Sequence, residues 1–356
     1  MQNILSDIKV LDLSSVLAGP SVGMFLGELG ADVLKIENIH TGGDITRQWK
    51  NPYEKDDEKL SAYYASVNAF KKVKLLDLKD KNNIKEIYDY LKEADILICN
   101  FKYGEDKKLG LDYDTVKTIN QKIIYGHITG FGREETRVAF DLILQAETGF
   151  MYLNREPHHL PAKMPVALID VLAAHHIKEG ILLALYNREK TGKGAYIHCS
   201  LYNAAVCSLV NQASNYLNAG YNPPPMGSQH PNIAPYGEIF ETKDNKLITF
   251  AIGTDKQFFQ LCEVLEAKEI GSNEAYSSNI NRVLNRQKLY EELQMKVKNF
   301  VAEYIYEKCI NHQIPVAIIK DIEDVMKNSV TQRLIKPVMI DNQSFNVITS
   351  IAFEMI

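Results

Sequence analysis

The chain has 356 residues, 46% hydrophobic and 24% charged, an ordinary globular composition long enough for two domains. Its formal net charge of -5 argues against a dedicated nucleic-acid binder, which carries a basic excess. The five cysteines are scattered, with no Cys-x-x-Cys and no matching histidine spacing, so they read as reduced thiols of a cytoplasmic protein rather than as a metal site.

No cationic start followed by a long apolar run opens the chain, and no long uncharged apolar run occurs anywhere, so neither an export signal nor a membrane span is expected. "IKVLDLS" (8–14) reads as a buried strand, residues 20–30 as a helix opened by Pro20 and closed by Gly30, and "ADVLKIE" (31–37) as the next strand. The alternation continues with "KVKLLDL" (72–78), a polar helix near 81–93, "ADILICNF" (94–101), a helix near 113–120 and "KIIYGHITGFG" (122–132). Strands alternating with helices predict an α/β fold with a doubly wound, mostly parallel sheet.

A helix follows over 171–190, then a strand near 195–200 and an apolar helix near 201–218. "AGYNPPPMGSQHPNIAPYG" (219–237) has no periodicity and marks a linker. Beyond it come a hairpin turning at 243–245, helices near 255–266 and 286–311, and a strand "IPVAIIK" (314–320), the makings of a smaller α+β domain.

Two acids sit in apolar surroundings. Asp170 precedes the 171–190 helix where an N-cap belongs, accepting from first-turn N–H groups. The same position keeps a carboxylate ionised and aimed out of the chain, as a nucleophile requires, and the sequence is compatible with both roles. Asp141, in "AFDLILQAETG", is the second acid, and two carboxylates sharing a cleft divide acid and nucleophile roles. The turn "SSVLAGPS" (14–21) leads into a helix N-terminus able to hold an anion, but it is not G-x-G-x-x-G. Lys71, Lys72, Lys74, Lys79, Lys102, Lys107 and Lys108 gather near strand ends, either as a solvated face or as a cradle for a multiply phosphorylated ligand. The paired histidines 158–159 and 175–176 read as structural, because helix neighbours point apart.

Several stretches agree together: "IKVLDLSSVLAGPSVGMFLGELGADVLKIEN", "ADILICNFKYG", "GHITGFG", "FDLILQAETGFM", "ALIDVLAAHHIKEGILLALYNREKTGKGAYIHCSLYNAAV" and "HPNIAPYGEIF". In order and spacing they resemble the family III CoA-transferases, which include formyl-CoA and carnitine-CoA transferases and α-methylacyl-CoA racemases. The resemblance implies transfer of coenzyme A from an acyl-CoA to a carboxylic acid, without a metal, by an aspartate at the position of Asp170. That residue would pass through an acyl anhydride and an aspartyl-CoA thioester, with Asp141 shaping the cleft. By the same match Val16, Leu17, Ala18, Asn38, Leu76, Asp77, Lys79, Asn100, Phe101 and Lys102 would line the CoA groove, with Gly227, Ser228 and Gln229 in a loop near the thioester. The resemblance further implies a homodimer of interlocked rings. Residues 1–218, completed by about 330–356, would form the large Rossmann-like CoA-binding domain, 219–237 the linker, and 238–329 the small domain.

The chain also departs from its relatives. Racemases of the group need a histidine immediately before the second acid, where this chain has Phe140, which disfavours the alternative of an acyl-CoA racemase or isomerase. Formyl-CoA transferases carry a glutamine where this chain has Leu17 and a glycine run where it has "MGSQHP", so oxalate and formate are not implied. The resemblance implies a C-terminal tail beyond "ITSIAFEMI", and its absence motivates a third reading, a CoA-binding protein without turnover.

Overall fold

Strands such as ILIC and IYGHIT are apolar on both sides, which suits a parallel sheet covered by helices on each face. The computed structural model describes residues 3–55 and 59–355. In it β1 (Lys9–Asp12), β2 (Asp32–Asn38), β3 (Lys72–Leu76), β4 (Ile96–Cys99), β5 (Ile124–Thr129) and β6 (Ala195–Ser200) form one six-stranded sheet. All neighbours pair in parallel in the order β3-β2-β1-β4-β5-β6. The helices between and beyond these strands are α1 (Ala18–Glu28), α2 (Ala62–Asn68), α3 (Lys81–Glu93), α4 (Glu105–Leu109), α5 (Tyr113–Ile119), α6 (Asp141–Glu147), α7 (Phe150–Leu153), α8 (Leu168–Thr191), α9 (Leu201–Cys207) and α10 (Val210–Ala219).

On one face Leu11, Ile87, Leu91, Leu97, Val116 and Tyr125 bind α3 and α5 to the sheet as one apolar cluster. On the other, α1 and α8 pack together over the strands, with Ile177 and Ile181 lying against Gly126. The winding reverses between β1 and β4, so the turns that follow these two strands diverge and leave a crevice at the strand ends.

The chain divides into two compact units. Unit 1 runs up to Thr148 and takes in Met164–Asn211 and the stretch from Ser329 onwards; unit 2 comprises Gly149–Lys163 and Gln212–Asn328. In unit 2, β7 (Tyr236–Glu241), β8 (Leu247–Ala251) and β9 (Val316–Ile318) form an antiparallel sheet. Phe240, Phe250, Phe258, Leu261, Leu293 and Ile305 build its core. Unit 1 ends in an antiparallel hairpin, β10 (Ile335–Ile340) and β11 (Gln343–Ile348). Buried Glu28 of α1 fixes the chain around this hairpin by accepting from Lys336 Nζ and from the Ser350 amide and hydroxyl.

Three expectations are corrected. The helix expected over 201–218 is two, α9 and α10, broken where Val210 takes φ +40°. The helix expected over 286–311 is likewise two, Arg286–Val297 and Ala302–Asn311. Pro20 is the third residue of α1 rather than its first; its missing N–H costs nothing there, because first-turn amides have no intrahelical partner.

Helix α1 approaches the turn after β1 closely enough to require glycine. A Cβ on Gly19 would fall 2.3 Å from Ser14 Cβ and Oγ. Gly19→Ala is therefore expected to destabilise the protein by about 1–3 kcal/mol, the scale of an overpacked contact. Urea denaturation checks this, and an unchanged midpoint would contradict the close approach.

Candidate active site

The turn from Ser14 to Leu17 carries the chain from β1 into α1, and side chains rather than backbone pairs hold it. Asp12 Oδ1 accepts the Ser14 N–H at 3.0 Å, Asn100 Oδ1 the Ser15 N–H at 3.1 Å, and Asp44 Oδ2 the Val16 N–H at 3.1 Å. Asn100 also donates to the Ser15 carbonyl at 2.9 Å, tying the end of β4 to the end of β1. Val16 has φ +73°, in the left-handed region that a β-branched residue strongly disfavours.

The two acids meet at the N-terminus of α8, in roles that differ from the cap reading. The helix starts at Leu168 with Ala167 as N-cap, so Asp170 lies inside its first turn. The carboxylate that satisfies a first-turn amide is that of buried Asp141, whose Oδ1 accepts the Ile169 N–H at 2.8 Å. Its Oδ2 accepts from Gln145 Nε2 at 2.7 Å. Asp170 takes no part in this pairing. Burial, followed by the charge of Asp141, pushes its carboxyl up to about 7. Sequence spacing could not have found this, because the capping group arrives from another helix.

A cleft of about 240 Å³ is lined by Val16, Leu17, Ala18, Asn100, Phe101, Lys102, Phe140 and Asp170. A second cleft of about 600 Å³ is lined by Asn38, Asp77 and Lys79, and shares Ser15, Asn100, Phe101 and Lys102 with the first. The expected groove residues are thus gathered at the switch point of the sheet, apart from Leu76, which is buried in the apolar cluster and lines neither cleft. Gly227, Ser228 and Gln229 belong to unit 2. There Gly227 takes φ +58°, and a Cβ on it would strike the Glu156 carboxylate at 1.9 Å.

The lysines divide. Lys71 is fully buried against Asp12 at 2.9 Å, Lys72 pairs with Asp32 at 2.7 Å, and Lys74 pairs with Glu86. These three serve the fold. Lys79 and Lys102 line the second cleft, and with Lys81, Lys85 and Lys108 they also line an adjoining cleft of about 780 Å³. Tyr63 on α2 was not anticipated. Its hydroxyl is pushed up to about 12 by burial and then by the charges of Asp170 and Asp141. Among the described residues no group of three or more His, Cys, Asp or Glu side chains is placed to hold a metal ion, and no helix is long and apolar enough to cross a membrane.

Comparison with known proteins identifies the family. Residues 5–351 match the family described as CoA-transferase family III. The succinate–glutarate CoA-transferase of Agrobacterium fabrum is 36% identical over 334 residues, covering 92% of this chain and 83% of that one. Human succinyl-CoA:glutarate CoA-transferase is 34% identical over 312 residues, covering 86% of this chain and 70% of that one. The crystal structure of a CAIB/BAIF family protein from Brucella suis matches with a TM-score of 0.84 at 34% identity, over 99% of this chain and 93% of that one. The chain belongs to CoA-transferase family III. It is an acyl-CoA:carboxylate CoA-transferase, and its substrates are CoA thioesters and carboxylic acids.

The raised Asp170 carboxyl has a signed consequence for stability. Below the unfolded value of 3.8 both states are protonated; above about 7 both are charged, and the folded state then carries the full penalty of a desolvated carboxylate beside Asp141. Asp170→Asn is accordingly expected to melt higher than wild type at pH 8 and alongside it at pH 4. A melting temperature at pH 8 that is unchanged, as exchange of one good capping residue for another would give, or lower, contradicts the assignment.

Proposed function

We propose that the protein moves CoA between short dicarboxylic acids, with Asp170 as nucleophile. The observation that carries this reading is the Asp170 carboxyl, which takes no hydrogen bond from the described residues in the first turn of α8 and lines a cleft walled by the 15–18 turn and residues 100–102. In the first step an Asp170 oxygen attacks the thioester carbonyl; the C–S bond breaks, CoA thiolate leaves, and an acyl-aspartyl anhydride forms. The thiolate then attacks the aspartyl carbonyl, releasing the donor acid as carboxylate and leaving an aspartyl-CoA thioester. The acceptor carboxylate attacks this thioester to give a new anhydride and thiolate. Attack of that thiolate on the acyl carbonyl of the new anhydride forms the product thioester and restores Asp170. No water enters, and the low-dielectric cleft protects both activated intermediates from hydrolysis.

The dicarboxylate class is supported by relatives named for succinate, glutarate and mesaconate. Asp141, committed to Ile169 and Gln145, would fix the entry of α8 and keep the Asp170 proton affinity high. Lys79 and Lys102 would meet the phosphates of CoA as point charges, and by the family resemblance Gly227, Ser228 and Gln229 would belong to a loop near the thioester. Interlocked-ring homodimerisation follows from the family resemblance, and a monomer in sedimentation at micromolar concentration would refute it. The five cysteines, all unpaired, fit the reducing cytoplasm.

Trapping tests the covalent steps. Wild-type protein incubated with succinyl-CoA and then hydroxylamine or borohydride is expected to carry a modification on the peptide containing Asp170. Asp170→Asn should bind CoA and lose transfer almost completely. A label on Asp141, or near-normal turnover in Asp170→Asn, overturns the mechanism.

A further inference from the structure

Lys35 stands in the middle of β2, an interior strand of the sheet, with its side chain 0% exposed, a position where the fold alone asks for an apolar residue. A buried ammonium is tolerated only when paired and hydrogen-bonded. Both of its partners belong to loops rather than to the core. Its Nζ donates to the Ser14 carbonyl at 2.7 Å and lies 3.2 Å from Asp44 Oδ2. That same Asp44 oxygen takes the Val16 N–H, while the other takes the Thr46 N–H at 3.1 Å and the Thr46 hydroxyl at 2.9 Å. One lysine and one aspartate therefore grip the turn at Ser14 and at Val16, the residue held at φ +73°. Strained backbone persists only where its surroundings over-determine it. Here strain and buried charge converge on a turn that lines the same cleft as Asp170.

We propose that the buried Lys35–Asp44 pair positions the Ser14–Leu17 turn for catalysis, setting the cleft wall against which the thioester carbonyl is presented to Asp170. The inference rests on the reading of this cleft as the place of CoA transfer. Lys35 and Asp44 are positioning residues acting through the turn. Their loss shifts the wall without removing the groups expected to hold the nucleotide end of CoA. A misplacement of about 1 Å between reacting groups costs on the order of 100-fold in rate.

The test compares wild type, Lys35→Met, the double variant Lys35→Met/Asp44→Asn and Asp170→Ala. CoA affinity is read by calorimetry, kcat and KM by succinyl-CoA:glutarate exchange, and stability by melting. Lys35→Met is expected to bind CoA within threefold of wild type and to lose at least tenfold in kcat. The double variant removes both charges, so its melting temperature should recover relative to Lys35→Met while kcat stays at least tenfold down. A folded Lys35→Met with kcat within twofold of wild type overturns the inference. So does a double variant whose kcat recovers in step with its melting temperature, because that is what a purely structural pair would do. Where Lys35→Met fails to fold, the double variant decides alone. Retained transfer in Asp170→Ala would instead overturn the nucleophile assignment and leave the Lys35 comparison readable.

Discussion

A half-buried carboxyl group held beside a second carboxylate, with no hydrogen bond from the described residues, is the constraint on which this site depends. Asp141 commits one oxygen to the Ile169 amide and the other to Gln145, and so anchors the start of α8. Asp170, one residue after Ile169, lies near Asp141 and has no compensating donor among the described residues. The positive end of a long helix favours its anion. Desolvation and the like charge win, since the carboxyl is pushed up to about 7. Such a group is half ionised near neutrality, and its anion is more basic than an exposed aspartate, which makes it the stronger nucleophile once formed.

The rest of unit 1 builds walls for that carboxyl. Open α/β sheets bind ligands where the strand order reverses, and the turns after β1 and β4 meet there through Asn100 and Ser15. Many proteins shape this turn with glycines that let the backbone approach a phosphate. Here the shape comes from outside the turn, through Asp12, Lys35, Asp44 and Asn100. The buried charges balance locally: Lys71 with Asp12, Lys35 with Asp44, and Arg47 with Glu37. Removing one partner of such a pair leaves an uncompensated charge, whereas the intact set gives one defined loop geometry.

Much of the framework was legible from the chain because apolar runs and helical periodicity are local signals. The six strands of the parallel sheet fall within or beside the runs that mark them, and α3 occupies the span its polar and apolar faces suggest. What escaped was set by distant partners. Asp170 has the sequence context of a cap, yet the helix begins two residues earlier and a carboxylate from α6 does the capping. Lys35 is an unremarkable letter in "ADVLKIE" until β2 is placed beside Asp44 and Ser14. The basic cluster was visible, but its division was not: Lys71 and Lys72 are adjacent in sequence, while one is buried against Asp12 and the other pairs with Asp32 on the surface. The C-terminal hairpin was hidden by Pro337, which a two-stranded ribbon accommodates because half of its backbone groups need no ladder partner.

The central claim, that Asp170 is an unpaired and destabilised carboxyl rather than a helix cap, is read most directly by titration. Carbon-13 NMR of aspartate-labelled protein, with Asp170→Asn used to assign the resonance, follows the side-chain carboxyl of the ligand-free enzyme across pH. The account predicts a midpoint close to 7 for Asp170. A midpoint at or below the ordinary aspartate range of about 3.9, as a capping carboxylate would show, contradicts it.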